Sequence, residues 1–339
     1  MAVNRQWKLR SRPTDKVDAS QFEFVEDAIP EPGDGEILVR NLWLGLDPAA
    51  RAWLNDVESY VPPVQIGEVM RGETVAEVVA SRDPNVAVGT LVCGVFGWQD
   101  YAVVPGSSED PWEQFQVVPE GLPPQRALGA LGSPGLTAYV GMLEIGEIAA
   151  GMNVLVSGAA GAVGSVAAQI ARLKGAGKVV GIAGDERKCR WLVEEAKLDG
   201  AIDYKAGKLE ERLQEEFPSR IDLFFDNVAG PIQEAALAAM APYGRVVLCG
   251  SISAYDTSEL PPGPATLRYA TPKRLTLRGF IFFDHVERML EGQQALMQWA
   301  ASGELVIAED IQEGLENAPT ALMRLFEGKN LGKQLLKLR

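Results

Sequence analysis

The chain has 339 residues, a net charge of -14, and 47% hydrophobic against 23% charged residues. That length predicts two domains, and the composition excludes a disordered chain. The charge excludes nucleic acid and an anionic membrane as partners, because their phosphates would be repelled; it does not oppose one small anionic cofactor in a local pocket.

The opening MAVNRQWKLRSRPTD has basic residues but no apolar stretch of the kind a secretory signal needs. No run of 18 apolar residues follows, so no membrane span is expected. From about 20 to 120, short β-branched runs are broken by Gly, Pro and Asp. EILVRNLWLGL, GETVAEVVASR, VGTLVCGVFGWQDYAVV and FQVVPE read as strands. Many short strands without helices predict a compact barrel or sandwich. Near 125, RALGALGSPGLTAYVGMLE reads as helix with a Ser-Pro-Gly-Leu-Thr interruption.

From 153 onward strands and helices alternate: NVLVSG, AVGSVAAQIARLK, KVVGIAG, ERKCRWLVEEAK, GAIDYK, LEERLQEEF, RIDLFFDNVAG, PIQEAALAAM and GRVVLCG. That alternation predicts a doubly wound parallel sheet. VLVSG and DLFFD are apolar throughout, as strands covered on both faces are. LTLRGFIFF reads as one more strand and HVERMLEGQQALMQWAASG as a closing helix. The tail from Leu305 returns to strand, helix and strand and is read as rejoining the first domain. The expected fold class is α/β, a β-barrel domain with an inserted Rossmann domain. Its boundaries are 1–125, 126–305 and 306–339.

Cys93, Cys189 and Cys249 are far apart and odd in number, which fits a reduced, cytoplasmic setting. His285 is the single histidine. A catalytic zinc takes about three ligands rich in Cys and His, and no such spacing occurs, so no metal is expected. A Ser-His-Asp triad would have to use His285, which has no nucleophile elbow nearby. His285 is read as a helix-start residue at a surface or pocket edge.

The most informative stretch is VLVSGAAGAVGSVAAQIARLK, residues 154–174. Gly158, Gly161 and Gly164 follow a strand, stand three apart and open a helix. Such a turn lets a pyrophosphate approach the backbone, facing the amides of the helix start. In NAD-binding units an Asp or Glu ends the next strand and takes the ribose hydroxyls. That position is Ala183 here, followed by Gly184, with Arg187 and Lys188 just beyond. The vacancy favours NADP over NAD. Asp185 is open to two readings, as a displaced ribose acid or as a charge that would repel a nearby phosphate.

Taken with LGLDPAARAWL, SYVPPVQIGEVMRG, FGWQDYAVV, LGSPGLTAYVGM, SGAAGAVGS, DNVAG, LCGSISAY and EGKNLGKQLL, the chain resembles the zinc-independent medium-chain dehydrogenase/reductase superfamily over nearly its full length. The resemblance is to the prostaglandin reductase, curcumin reductase and alkenal double-bond reductase branch. It implies a GroES-like barrel, a Rossmann domain and a C-terminal return to the barrel. It also implies NADPH, with Gly161, Ala162, Val163 and Gly164 at the pyrophosphate, and with Lys188 and Tyr204 at the 2′-phosphate beside Gly184. Asn227, Cys249, Gly250, Ser251, Ile252, Ser253, Tyr255, Phe280, Ile281, Phe282 and Asn330 would line the cofactor. The Gly-His-Glu motif of zinc-dependent relatives survives as Gly67-Glu68 without its histidine. Close relatives read Asp-Pro-Tyr-Met-Arg where this chain has Asp47-Pro48-Ala49-Ala50-Arg51, so an aromatic of the substrate pocket is missing.

Reducing a conjugated C=C spreads charge into an enolate, which hydrogen-bond donors can stabilise without a metal. Tyr255 and Tyr60 are the candidate catalytic residues, donating to the carbonyl oxygen or relaying a proton; a packing role is the alternative for each. Trp98, Phe282 and Tyr269 are candidates for the pocket wall. The expected activity is NADPH-dependent reduction of α,β-unsaturated ketones and aldehydes, with quinone reduction and non-catalytic NADPH sensing as alternatives. The expected partners are a small enone or quinone and a second copy of the chain, since relatives are commonly dimers.

Overall fold

The computed structural model describes residues 3–57, 59–110, 112–256 and 265–339. They form two compact units. The first takes the chain through Gly129 and again from Glu309, together with Tyr255 and Asp256; the second takes Ala130–Ala254 and the described part of the stretch ending at Ala308.

In chain order the first unit begins with β1 (Asn4–Leu9), β2 (Phe22–Asp27), β3 (Glu36–Leu46), α1 (Ala50–Trp53), β4 (Thr74–Ser81), β5 (Leu91–Gly94), β6 (Tyr101–Pro105) and β7 (Phe115–Val117). The second unit holds α2 (Ser133–Val140), β8 (Asn153–Val156), α3 (Ala162–Leu173), β9 (Lys178–Ala183), α4 (Glu186–Glu194), β10 (Gly200–Asp203), α5 (Leu209–Glu216) and β11 (Ile221–Asp226). It continues with α6 (Gly230–Ala239), β12 (Met240–Leu248), α7 (Ile252–Tyr255, its last residue grouping with the first unit), α8 (Ala270–Lys273), β13 (Thr276–Gly279) and α9 (Val286–Ser302). The first unit is completed by β14 (Glu309–Glu313), α10 (Ala318–Phe326) and β15 (Lys333–Lys337).

In the first unit β1 and β2 pair antiparallel, and a larger sheet runs β14-β15-β3-β4-β5-β7 with β6 also on β3. The returning tail is thus a sheet member, with Gln334 opposite Leu46 and Lys337 opposite Trp43. One core cluster joins Leu44, Leu46 and Met70 to Leu322 and Leu336 of the tail. Trp98 belongs to it, 1% exposed and stacked on Phe22 at 5.4 Å. It is a core residue, which corrects its expected place on a pocket wall.

β1 was not foreseen, and its sequence NRQWKL explains why. Its buried positions include Asn4 and Gln6, so the apolar alternation that marks a strand is missing. The amides are tolerated because they are paired. Asn4 exchanges hydrogen bonds with the Tyr101 backbone at 3.0 and 2.9 Å, and Gln6 donates to Gln99 Oε1 at 2.6 Å.

The second unit is a six-stranded parallel sheet in the order β10-β9-β8-β11-β12-β13. The order reverses between β8 and β11, the topological switch point outside which such sheets bind ligands. Val154, Leu155 and Val156 are wholly buried, as their unbroken apolar run requires. α3 is buried from Gly164 through Ala171, including Gln169. The Gln169 amide pairs with the Val306 backbone in both directions, at 2.9 and 2.8 Å, which satisfies a polar group at 0% exposure. The strand expected over LTLRGFIFF stops at Gly279. Its partner β12 ends at Leu248, opposite Gly279, so no ladder is available beyond. Phe282–His285 form a short 3-10 turn instead, with His285 at the cap of α9 and its Nδ1 3.9 Å from Glu287. Among the described residues no helix is long and apolar enough to cross a membrane.

Candidate active site

The C-terminal ends of the six parallel strands bring most of the expected residues to one edge of the second unit. β8 leads into Ser157 and the glycine turn, β9 into Gly184, β10 into Tyr204, β11 into Asn227, β12 into Cys249–Ser253 and β13 into Phe280–Phe282.

The three glycines of the turn have different physical reasons. Gly158 takes φ +57, in the left-handed region. A Cβ on Gly164 would lie 2.3 Å from the Gly158 carbonyl oxygen, so α3 could not pack so closely with any side chain there. Gly161 has φ -90 and ψ -179, open to any residue, and a Cβ there would meet only the Gly158 oxygen at 3.2 Å. The fold itself therefore does not need Gly161 to be glycine. No side chain caps α3 at Gly161, which leaves its first-turn amides for an anion. α4 is the contrast, because its N-cap is filled by a carboxylate.

That carboxylate is Asp185, whose Oδ1 accepts the Lys188 N–H at 2.8 Å. The acid whose role the sequence left open is a helix cap. β9 does end at Ala183, so no carboxylate occupies the ribose position. A Cβ on Gly184 would approach Tyr204 Cε1 at 3.1 Å and Lys205 Nζ at 3.5 Å, which puts Gly184, Tyr204 and Lys205 in one corner. Lys205 is a cation the sequence reading missed. Only the register of β10 beside β9, Asp203 opposite Ala183, carries it there. Lys188, in the first turn of α4, is 7% exposed.

Asp226 ties the two turns of the switch point together. Fully buried, it accepts Ser157 Oγ–H at 2.7 Å, the Val228 and Ala229 amides at 3.0 and 3.1 Å, and Gln233 Nε2 at 2.9 Å. Asn227 donates its side-chain amide to the Ser157 carbonyl at 2.7 Å and its backbone N–H to Ser157 Oγ at 2.9 Å. Asn227 thus braces the glycine turn. Neither Asp226 nor Ser157 was foreseen, because a hub of this kind forms from loops without periodicity. Burial, with the nearby Asp226 charge, pushes the Cys249 thiol up to about 12, so it stays protonated. Tyr269, half-buried, packs against the core of the second unit, and its hydroxyl accepts from Arg268 at 2.8 Å. The Phe282 and Phe283 rings meet tilted at 34°, their centroids 4.0 Å apart.

The candidate catalytic tyrosines both belong to the first unit. Tyr60 is 49% exposed and Tyr255 is half-buried. They are near enough that ionisation of Tyr255 would raise the Tyr60 pKa. Loss of hydration is the larger cause, and together they hold the Tyr60 phenol above its ordinary value of 10.0. The Trp53 indole N–H lies beside that hydroxyl and favours its ionised form; it meets no acceptor in full hydrogen-bond geometry.

Tyr255 is followed by Asp256, whose Oδ1 accepts the Val17 N–H at 2.7 Å and stands 3.4 Å from Arg51 Nε. Arg51, 2% exposed, also donates to Asn55 Oδ1 at 2.7 Å and to the Asp15 carbonyl at 3.0 Å. At the other end of Asp47-Pro48-Ala49-Ala50-Arg51, Asp47 pairs with buried Lys333 at 2.5 Å. Two buried cations therefore anchor the segment in which small alanines replace the aromatic. Asn330 lies in the same unit and donates to the Gly332 carbonyl at 2.8 Å.

Residues 5–111 match the model of an N-terminal domain of oxidoreductase, and residues 162–301 match the model described as zinc-binding dehydrogenase. Among the described residues no three His, Cys, Asp or Glu side chains cluster to hold a metal ion. The NADPH-dependent curcumin reductase of Escherichia coli (strain K12) is 40% identical over 340 residues, 99% of this chain and 97% of that one. Prostaglandin reductase 1 of Bos taurus is 38% identical over 340 residues, 99% and 100% of the two chains. The crystal structure of CurA in complex with NADPH from Vibrio vulnificus superposes with a TM-score of 0.92 at 39% identity, covering 99% of both chains.

Proposed function

Because this chain belongs to the zinc-independent branch of the medium-chain dehydrogenase/reductase superfamily, we propose that it uses NADPH to reduce the C=C bond of α,β-unsaturated ketones and aldehydes. The cofactor half of the reading rests on the uncapped start of α3, the carboxylate-free end of β9 and the Gly184, Tyr204 and Lys205 corner. The residues present fit a pyrophosphate at Gly161–Gly164 and a 2′-phosphate at that corner. Asn227, the Cys249–Ser253 loop, Tyr255, Phe280–Phe282 and Asn330 are the remaining residues that would hold the group. When bound, NADPH supplies a hydride for the β-carbon of the substrate.

The observation that carries the chemistry is the Tyr60 and Tyr255 pair. A phenol kept above its ordinary pKa remains a hydrogen-bond donor throughout the neutral range. In this reading Tyr60 or Tyr255 donates to the carbonyl oxygen. The donor stabilises the negative charge that develops there as the β-carbon is reduced, and a proton then reaches the α-carbon.

Loss of NADPH absorbance with a panel of enones, coupled to product identification, tests the proposal. The expected product is the saturated ketone or aldehyde. Failure to oxidise NADPH with any enone would refute it.

A further inference from the structure

Near Tyr60 the first unit gathers donors without matching acceptors. Arg71 stands over the Trp53 ring at 5.6 Å and over the Trp112 ring at 5.8 Å. Among the described residues its one hydrogen bond runs from Nη1 to the Pro62 carbonyl at 2.8 Å. Among the described residues no carboxylate comes within 4.0 Å of the guanidinium. The acid that acts on it electrostatically, Glu68, has Oε2 occupied by the Gln65 N–H at 2.8 Å. The rings offset part of the cost of removing the charge from water, yet they accept no ordinary hydrogen bond in the guanidinium plane. In a chain of net charge -14, a partly desolvated arginine without an acid partner among the described residues is conspicuous. Burial also depresses its pKa below the ordinary arginine value.

The same corner holds two more donors. The Trp53 indole N–H is buried and lacks an acceptor, and it lies beside the Tyr60 hydroxyl. Arg71 and Tyr60 lie near enough for the charge of each to act on the other. A planar guanidinium with free in-plane N–H groups matches a carboxylate better than any neutral acceptor.

We propose that Arg71 is a specificity-determining residue that binds a carboxylate carried by the substrate at a distance from its conjugated carbonyl. This rests on the reductase reading above and narrows it to acidic, amphipathic enones whose apolar body lies along Trp53 and Trp112.

The test compares 4-phenylbut-3-en-2-one with its ring para-carboxylate, which share one chromophore and differ by one charge. The ratio of kcat/KM, acid over neutral, is expected to fall about tenfold in Arg71→Gln, mainly through KM. Arg71→Lys, which keeps the charge and loses the fork, should fall between. High salt should lower the ratio in the wild type and not in Arg71→Gln. An equal drop for both substrates would make Arg71 a general electrostatic or structural residue and overturn the proposal. A second arm measures binding by calorimetry with NADP present, using the saturated, unreactive 4-(3-oxobutyl)benzoate. Equal affinity of wild type and Arg71→Gln refutes the Arg71 site. If neither enone is turned over but the saturated acid binds tenfold more weakly to Arg71→Gln, the site stands and the reductase reading fails.

Discussion

Gly161 and Gly164 are three residues apart in one turn, and the account predicts opposite consequences for their substitution by alanine. At Gly164 the added Cβ would sit 2.3 Å from the Gly158 oxygen, 2.8 Å from its carbonyl carbon and 3.0 Å from Ala159 Cα. All three are backbone atoms and cannot rotate aside, so α3 must move off the turn. Overpacking of this kind costs about 1–3 kcal/mol or more, whereas alanine in a helix without a clash would gain about 1 kcal/mol over glycine. A net loss of about 2 kcal/mol lowers Tm by roughly 4–8 °C in a domain of this size. At Gly161 the backbone angles suit alanine and the one close atom is at 3.2 Å, so the loss stays within about 1 kcal/mol. The methyl would intrude where the pyrophosphate approaches, and NADPH affinity should fall at least tenfold. Thermal unfolding without cofactor and fluorescence titration with NADPH separate the two effects. Wild-type NADPH affinity in Gly161→Ala, or unchanged Tm in Gly164→Ala, would refute the reasoning.

Lys205→Ala should weaken NADPH binding about tenfold while leaving NADH little changed, since one charge-assisted contact to the 2′-phosphate is lost; parallel titrations decide it. Asp256→Ala leaves the guanidinium of Arg51, 2% exposed, without its anion. Breaking such a pair costs about 2–3 kcal/mol, the other Arg51 hydrogen bonds softening the loss, and denaturant melts should show it together with a fall in kcat from the adjoining Tyr255. Tyr139 is buried and donates to Glu291 Oε1 at 2.7 Å, and burial followed by that hydrogen bond pushes its pKa up to about 12 from 10.0. The folded state thus holds the proton more tightly than the unfolded one, so this stabilisation is complete below pH 10 and is lost between pH 10 and about 12. Tyr139→Phe should flatten that stretch of the stability profile, as followed by melts across the range.

The legible parts of the sequence were those with a period. Six parallel strands came from apolar runs alternating with amphipathic helices, and the glycine triplet could be placed because it joined one to the other. β1 was hidden because its inward positions are paired amides. The end of β13 depended on where its neighbour β12 ends, which no local pattern records. Lys205 and Asp226 escaped for a related reason: their roles come from strand register and loop closure, not from their own segments. Asp185 was visible but ambiguous, and only the hydrogen bond to the Lys188 amide assigns it to the helix cap. Arg51 was read as part of a divergent motif, while its partner Asp256 lies 205 residues away in sequence.

Hydride tracing tests the central claim most directly: one turnover of 4-phenylbut-3-en-2-one with NADPH deuterated at the transferable position, the product resolved by NMR. The account predicts 4-phenylbutan-2-one with deuterium on the β-carbon and a solvent-derived hydrogen on the α-carbon. Deuterium on the carbinol carbon of an allylic alcohol would contradict it.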